Sequence, residues 1–186
     1  PLRTTRLSLD SPAPLRHVSG IETGDEKMAA TSKSDDGEPK HLFLIDGSGY
    51  IFRAYHALPP MKRPDGTPVN AVYGFTSMLT KLVEDSEADY LAVIFDTARK
   101  TFRSDIYPEY KAHRPPPPED MIPQFSLIRE SVEAYGLPQA EMQGYEADDL
   151  IATYAKQAAA DGHRVTIVSS DKDLMQLIDD NISMQD

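Results

Sequence analysis

A short apolar run that ends in an acid occurs three times in this chain. It is seen in His41-Leu42-Phe43-Leu44-Ile45-Asp46, in Tyr90-Leu91-Ala92-Val93-Ile94-Phe95-Asp96 and in Arg164-Val165-Thr166-Ile167-Val168-Ser169-Ser170-Asp171. Such runs, with little polar alternation, are buried on both faces, as the strands of a parallel sheet are. Between them lie segments with apolar residues every three or four positions, the spacing of helices that pack by one face. Alternating strands and helices predict an α/β fold, a mostly parallel central sheet with helices on both faces. Ligands of such sheets bind at the C-terminal strand ends. Asp46, Asp96 and Asp171 fall there.

Residues 1–40 are rich in Ser, Thr, Pro, Gly and charge and lack apolar periodicity, so they are expected to be a disordered N-terminal extension ahead of one domain over 41–186. Within the domain, helices are expected over 50–58, 69–86, 119–135 and 146–160, and a short one over 172–178. Further strands are expected near 139–142 and 181–185. The chain opens on Pro1 rather than Met, as a fragment or processed product would. Cysteine is absent, which removes thiolate metal sites and Cys nucleophiles and agrees with the cytosol. No apolar run approaches the length that spans a bilayer, and no secretory signal opens the chain.

The densest chemistry is in Gly144-Tyr145-Glu146-Ala147-Asp148-Asp149, where three carboxylates precede a helix. Acids suit a helix N-terminus, which carries partial positive charge. That accounts for one or two of them; it does not account for adjacent, mutually repelling Asp148 and Asp149. Capping equally accounts for Asp171 with Asp173, or for Asp46 with Gly47, taken singly. The recurrence at several strand ends is what capping alone does not explain. Gathering Asp46, Asp96, Glu146, Asp148, Asp149, Asp171 and Asp173 on one edge without cations would be costly. An oxygen-only donor set favours Mg²⁺ or Mn²⁺ over Zn²⁺. Two such ions would suit in-line hydrolysis of a phosphodiester. Neighbours on a helix diverge by about 100°, so Asp148 and Asp149 need not share an ion, whereas Glu146 and Asp149 share a face.

Net charge is −11, and residues 41–186 contribute 13 − 23 = −10 of it. By itself this argues against nucleic acid as a partner, unless bound cations offset the acids. One segment of the domain is basic: Arg99, Lys100, Arg103, Lys111, His113 and Arg114 interleave with Phe102, Tyr107 and Tyr110, and the segment ends in Pro115 to Pro118. As a solvated loop it would need no function. Beside a hydrolytic metal site it would steer phosphate and stack bases of a single strand. Lys111 and Arg114, at i and i+3, would share a face if helical and would clamp the scissile phosphate; Arg53 adds a contact from the first helix.

These motifs, in order, resemble a known family. Leu44-Ile45-Asp46-Gly47-Ser48, Val72-Tyr73-Gly74-Phe75, Val93-Ile94-Phe95-Asp96 and Phe102-Arg103 are followed by Tyr110-Lys111-Ala112-His113-Arg114, the Gly144–Asp149 run and Ser170-Asp171-Lys172-Asp173-Leu174. Together they resemble the N-terminal 5′→3′ exonuclease domain of bacterial DNA polymerase I, within the flap-endonuclease family. The resemblance implies a PIN-like (resolvase-like) fold with a basic helical-arch insertion. It implies divalent-metal hydrolysis of 5′ flaps, nicked and single-stranded 5′ ends or RNA primers in replication and repair, by a monomer in the bacterial cytoplasm. The seven acids would be its cluster, some acting through water, while Tyr110, Lys111 and Arg114 would belong to the arch. The family continues beyond Asp186 with a helix–turn–helix-like DNA-binding element, so a truncation is expected.

Other readings stay open. A phosphatase with an aspartyl nucleophile wants a second acid two residues on, where this chain has Ser48. A non-catalytic DNA-structure-binding fragment and a stand-alone flap nuclease without a polymerase also use these motifs.

Overall fold

The computed structural model describes residues 38–97 and 100–186. The expected N-terminal extension lies outside the described residues up to residue 37, and so does Arg99 of the basic segment. From β1 (His41–Asp46) the chain passes through α1 (Gly47–Ala57) and α2 (Asn70–Asp85) to β2 (Tyr90–Ile94). It continues through α3 (Phe102–Ile106) and α4 (Ile122–Ala134) to β3 (Gln139–Ala140). Then α5 (Ala147–Ala160) crosses to β4 (Arg164–Val168), and a 3-10 helix (Lys172–Leu177) leads to β5 (Ile182–Gln185). The sheet has five strands in the order β3-β2-β1-β4-β5, and every pairing is parallel. This is the α/β architecture expected from the alternating apolar runs. The strand order reverses direction at β1 and β4, so the switch point that favours ligands lies between their C-terminal ends.

Two apolar cores flank the sheet, and the strands feed them alternately. Phe43 and Ile45, with Leu91, Val93 and Phe95, pack against α1, α2 and α4. Leu42 and Leu44, with Ala92, Ile94, Val165 and Ile167, pack against Ala147, Leu150, Ile151 and Ala155 of α5. Side chains alternate faces along a strand. Carried past the strand ends, the second parity includes Asp46, Asp96, Ser169 and Asp171, all on the α5 side. The crossing from β1 into α1 is tight. A Cβ on Gly47 would lie 2.5 Å from Phe95 Cε1 and 2.9 Å from the Ile94 carbonyl oxygen. Only glycine lets the helix start where Asp46 needs it.

The N-terminus of α2 carries no capping side chain of its own, since Val69 stands at that position. Gln124 of α4, fully buried, fills the role from 53 residues away. Its Oε1 accepts from the Ala71 N–H at 2.8 Å and the Val72 N–H at 3.2 Å. Its Nε2 donates to Asn70 Oδ1 at 3.0 Å and to the Asp120 carbonyl at 2.9 Å. Asn70 in turn donates to the Tyr55 carbonyl at the end of α1. One amide side chain thereby joins three helices across the first core, with all its polar capacity satisfied.

The basic insertion differs from the expected helical face. Its helix is confined to Phe102–Ile106, and residues 108–113 form turns. Lys111 has φ +53, the left-handed region, which a helix does not contain. Pro108 and the Pro115–Pro118 run leave too short a stretch to propagate one. Lys111 and Arg114 therefore share a turn, with the Arg114 N–H on the Lys111 carbonyl at 3.1 Å, and no helical face. No helix among the described residues is long and apolar enough to cross a membrane.

The Gln124 network makes a stability prediction. Gln124→Leu leaves two helix N–H groups and Asn70 without their partner, and each buried orphan costs about 1–3 kcal/mol. We expect a loss of about 2–4 kcal/mol in urea unfolding followed by circular dichroism. Ser126→Ala, which removes only an exposed hydroxyl bonded within its own helix, should stay within about 0.5 kcal/mol.

Candidate active site

The strand-end acids double as helix caps. Asp46, 6% exposed, accepts from the Gly49 N–H at 2.9 Å on Oδ1, which caps α1. Its Oδ2 accepts from the Ser169 hydroxyl at 2.8 Å. A Cβ on Gly49 would approach Asp46 Oδ2 to 2.5 Å, so glycine is needed for this cap as well. Asp96 Oδ1 accepts from the Ala147 N–H, the first of α5, at 2.7 Å. The Asp96 N–H donates to Ser48 Oγ at 3.0 Å, and its carbonyl accepts from Arg129. Asp171 caps the 3-10 helix by accepting from the Asp173 N–H at 2.9 Å, and its own N–H donates to Ser169 Oγ at 3.1 Å. Ser169 thus joins Asp46 to Asp171 across β1 and β4.

Asp148, in the first turn of α5, completes this group. Its carboxyl is pushed up to about 6, first by burial and then by the charges of Asp46, Asp171 and Asp96, with Lys111 acting in the opposite sense. Asp46 is also raised, first by burial, against the pull of Gly49 and Ser169. Four aspartates from β1, the ends of β2 and β4, and α5 therefore share one electrostatic neighbourhood.

Glu146 and Asp149 face a different environment. The Lys111 ammonium donates to both Glu146 oxygens at 2.9 Å, and the Tyr110 hydroxyl donates to Oε2 at 3.1 Å. Arg103 grips Asp149 with two hydrogen bonds of 2.7 Å and stands 3.8 Å from Glu146. The Glu146 N–H donates to Asp149 Oδ2 at 3.0 Å. These pairs are partly buried, with Glu146 the most enclosed member, so removing Lys111 would leave a buried carboxylate short of its partner. The Arg103 hydrogen bonds hold Asp149 below the usual carboxylate range. Burial works against the Lys111 charge, yet Glu146 and Tyr110 hold it above the ordinary lysine range. Asp148 and Asp149 do diverge, one toward the aspartates and the other toward Arg103.

Of the remaining expected residues, Asp173 is exposed at the rim. Arg114 is exposed on the arch turn. Arg53 lies on α1, paired with Asp186 and 5.8 Å from the Tyr50 ring. The sequence reading missed Ser169 and Ser48. Strand parity carried past Ile167 would have found Ser169, while nothing local marks Ser48 as the partner of Asp96. Arg103, expected to contact nucleic acid, is bound to the acids.

The donor chemistry fits a hard divalent cation: clustered oxygen ligands with a charge excess. As placed, no three acids among the described residues form a closed set around one ion. Their oxygens are turned instead to caps, hydroxyls and the two cations.

The family model of the 5′-3′ exonuclease N-terminal, resolvase-like domain matches residues 41–186. The DNA polymerase I of Rhizobium leguminosarum is 54% identical over 176 residues, which are 90% of this chain and 17% of that protein. A 5′-3′ exonuclease of Aquifex aeolicus is 43% identical over 143 residues, 77% of this chain and 50% of that protein. This chain thus spans half or less of the length of these relatives. Among solved structures, a bacteriophage T5 5′-exonuclease with bound divalent metal ions (zinc) superposes with a TM-score of 0.58 at 25% identity, over 78% of this chain and 54% of that one. A T5 flap endonuclease complex with DNA and metal ions gives 0.59 at 23% identity, over 78% and 54%.

The Asp148 environment sets a pH dependence in metal-free protein. An acid raised from 3.8 to about 6 on folding favours the folded state in its protonated form. That contribution is present below the unfolded value and is lost as pH rises through about 6. Asp148→Asn should be more stable than wild type by about 1–2 kcal/mol at about pH 8 in chelator, allowing for solvent screening of a half-buried group. The advantage should vanish near about pH 4. Urea unfolding at both values checks this, and an advantage independent of pH would contradict it.

Proposed function

The chain belongs to the family of 5′-3′ exonuclease N-terminal, resolvase-like domains, and from that premise we propose that it is the nuclease portion of a DNA polymerase I. It hydrolyses phosphodiester bonds at 5′ flaps, nicks, single-stranded 5′ ends and RNA primers, in replication and repair. The observation that carries this is the set of strand-end aspartates gathered beside half-buried Asp148, whose carboxyl is raised first by burial and then by their charges. A cluster that crowds like charge around a sheet switch point needs cations, and the phosphodiester brings further negative charge to the same place.

Asp46, Asp96, Asp148 and Asp171 would hold Mg²⁺ or Mn²⁺, two ions in all, with Glu146, Asp149 and Asp173 acting through water. Bound ions of this kind supply charge neutralisation and make a water molecule a better nucleophile. The remaining work falls to the chain itself. Ser169 and the Gly49 N–H fix the orientation of Asp46. Arg103 and Lys111 hold Asp149 and Glu146 in place through their hydrogen bonds. Lys111 and Arg114, on one turn of the insertion, receive the phosphate, with Tyr110 beside them and Arg53 at the edge of α1. Arg103 serves DNA through the acids it holds. The protein works as a monomer in the cytoplasm. A stand-alone nuclease is the second reading, favoured by the Aquifex aeolicus relative, half of whose length this chain matches.

Cleavage of a 5′-labelled flap by the full-length natural protein tests the proposal. Activity should require Mg²⁺ or Mn²⁺ and disappear with chelator. Asp148→Ala should lower it by roughly 1000-fold and Lys111→Ala should lower kcat by roughly 100-fold, the range for lost transition-state electrostatics, with unchanged far-ultraviolet dichroism. Wild-type cleavage by Asp148→Ala would overturn the site.

A further inference from the structure

Two aromatic rings stand at the rim of the acidic site and remain uncovered. Phe102 begins α3 and Tyr145 immediately precedes Glu146. Their centroids are 5.5 Å apart at an interplanar angle of 50°, yet they are still 40% and 44% exposed. Their contact with each other therefore does not hide them.

The pair is also held firmly. A parallel bridge joins Thr101 to Gly144, and the Phe102 N–H donates to the Gly144 carbonyl at 2.9 Å. Gly144 has φ +87, a conformation that lets the chain turn from this bridge into Tyr145 and the acids. The Arg103 guanidinium lies 4.7 Å from the Phe102 centroid and 5.9 Å from that of Tyr110, while Asp149 fixes its other end. Ring, cation and carboxylate form one connected unit.

We propose that Phe102 and Tyr145 form a stacking platform for an unpaired nucleobase of the strand whose phosphate enters the acidic site. The proposal rests on the nuclease reading above. Rings flanked by cations are what single-strand nucleic-acid sites use, because every base offers a π face and every nucleotide a phosphate. The surroundings fit that ligand. Arg103 lies 4.7 Å from the Phe102 ring, Lys100 stands two residues before Phe102, and Glu146, which Lys111 holds, follows Tyr145 directly. Two rings make a surface of nucleobase size, too small for a stable protein interface. Substrates with an unpaired 5′ segment would gain from the platform, and fully paired nicked ends would gain less.

The test uses the full-length natural protein and a 5′-flap oligonucleotide carrying 5-iodouracil at successive unpaired positions, with Ca²⁺ in place of the activating ion. Irradiation should crosslink one position to Phe102 or Tyr145, as mapped by mass spectrometry. Tyr145→Leu should raise KM for the flap roughly tenfold, the scale of one lost stack, with kcat changed less than about twofold, and Tyr145→Phe should restore it. An abasic residue at the crosslinked position should raise the wild-type KM similarly and leave Tyr145→Leu no worse, because the two changes remove one interaction. Crosslinks confined to Tyr110, or a Tyr145→Leu penalty that is undiminished on the abasic flap, would overturn the platform while the nuclease reading stands. Failure of the wild-type protein to bind or cleave the flap would overturn both.

Discussion

Like charge crowded at the C-terminal edge of a parallel sheet is the constraint on which the rest of this structure depends. The strand ends bring Asp46, Asp96 and Asp171 to one side, and α5 adds Asp148 from above. Burial first, and then the charges of Asp46, Asp171 and Asp96, raise Asp148, with Lys111 acting in the opposite sense. Around that cluster the chain spends its available donors. Backbone N–H groups of Gly49, Ala147 and Asp173 each meet one of the strand-end carboxylates. Ser169 meets Asp46, and Lys111 and Arg103 meet the two outer acids. The acids are thus both the ends of the scaffold and the proposed ligands of the cations.

That double duty ties stability to chemistry. A helix cap contributes about 1 kcal/mol, so each aspartate both stabilises a helix start and fixes an oxygen in space. Gly47 and Gly49 are needed because larger residues would strike Phe95 or the Asp46 carboxylate. Arg103 and Lys111 neutralise Glu146 and Asp149 where cations and phosphate would later compete for the same oxygens. The insertion that carries them places Arg103 on the short helix α3 and Lys111 on a turn in the left-handed region.

Much of the architecture was legible in the sequence because apolar runs and three-to-four spacing are local signals. The parallel sheet, the two helical layers and the strand-end positions of Asp46, Asp96 and Asp171 all follow from them. The separation of Asp148 from Asp149 followed from helical geometry alone. What stayed hidden depends on partners distant in the chain. Gln124 caps α2 across 53 residues, Ser169 reaches Asp46 across 123 and Arg103 reaches Asp149 across 46. No window of sequence contains both members of such a pair. The expected helical face of Lys111 and Arg114 failed for a local reason: i, i+3 spacing has that meaning only inside a helix, and prolines on both sides prevent one.

The central claim is that the strand-end aspartates together with Asp148 bind divalent cations. Titration of the chain with Mn²⁺, with free ion followed by electron paramagnetic resonance, addresses it without any substrate. Wild type should bind saturably, and Asp46→Asn, Asp96→Asn, Asp148→Asn and Asp171→Asn should each weaken binding by roughly tenfold or more. Mn²⁺ affinity left unchanged by all four substitutions would contradict it.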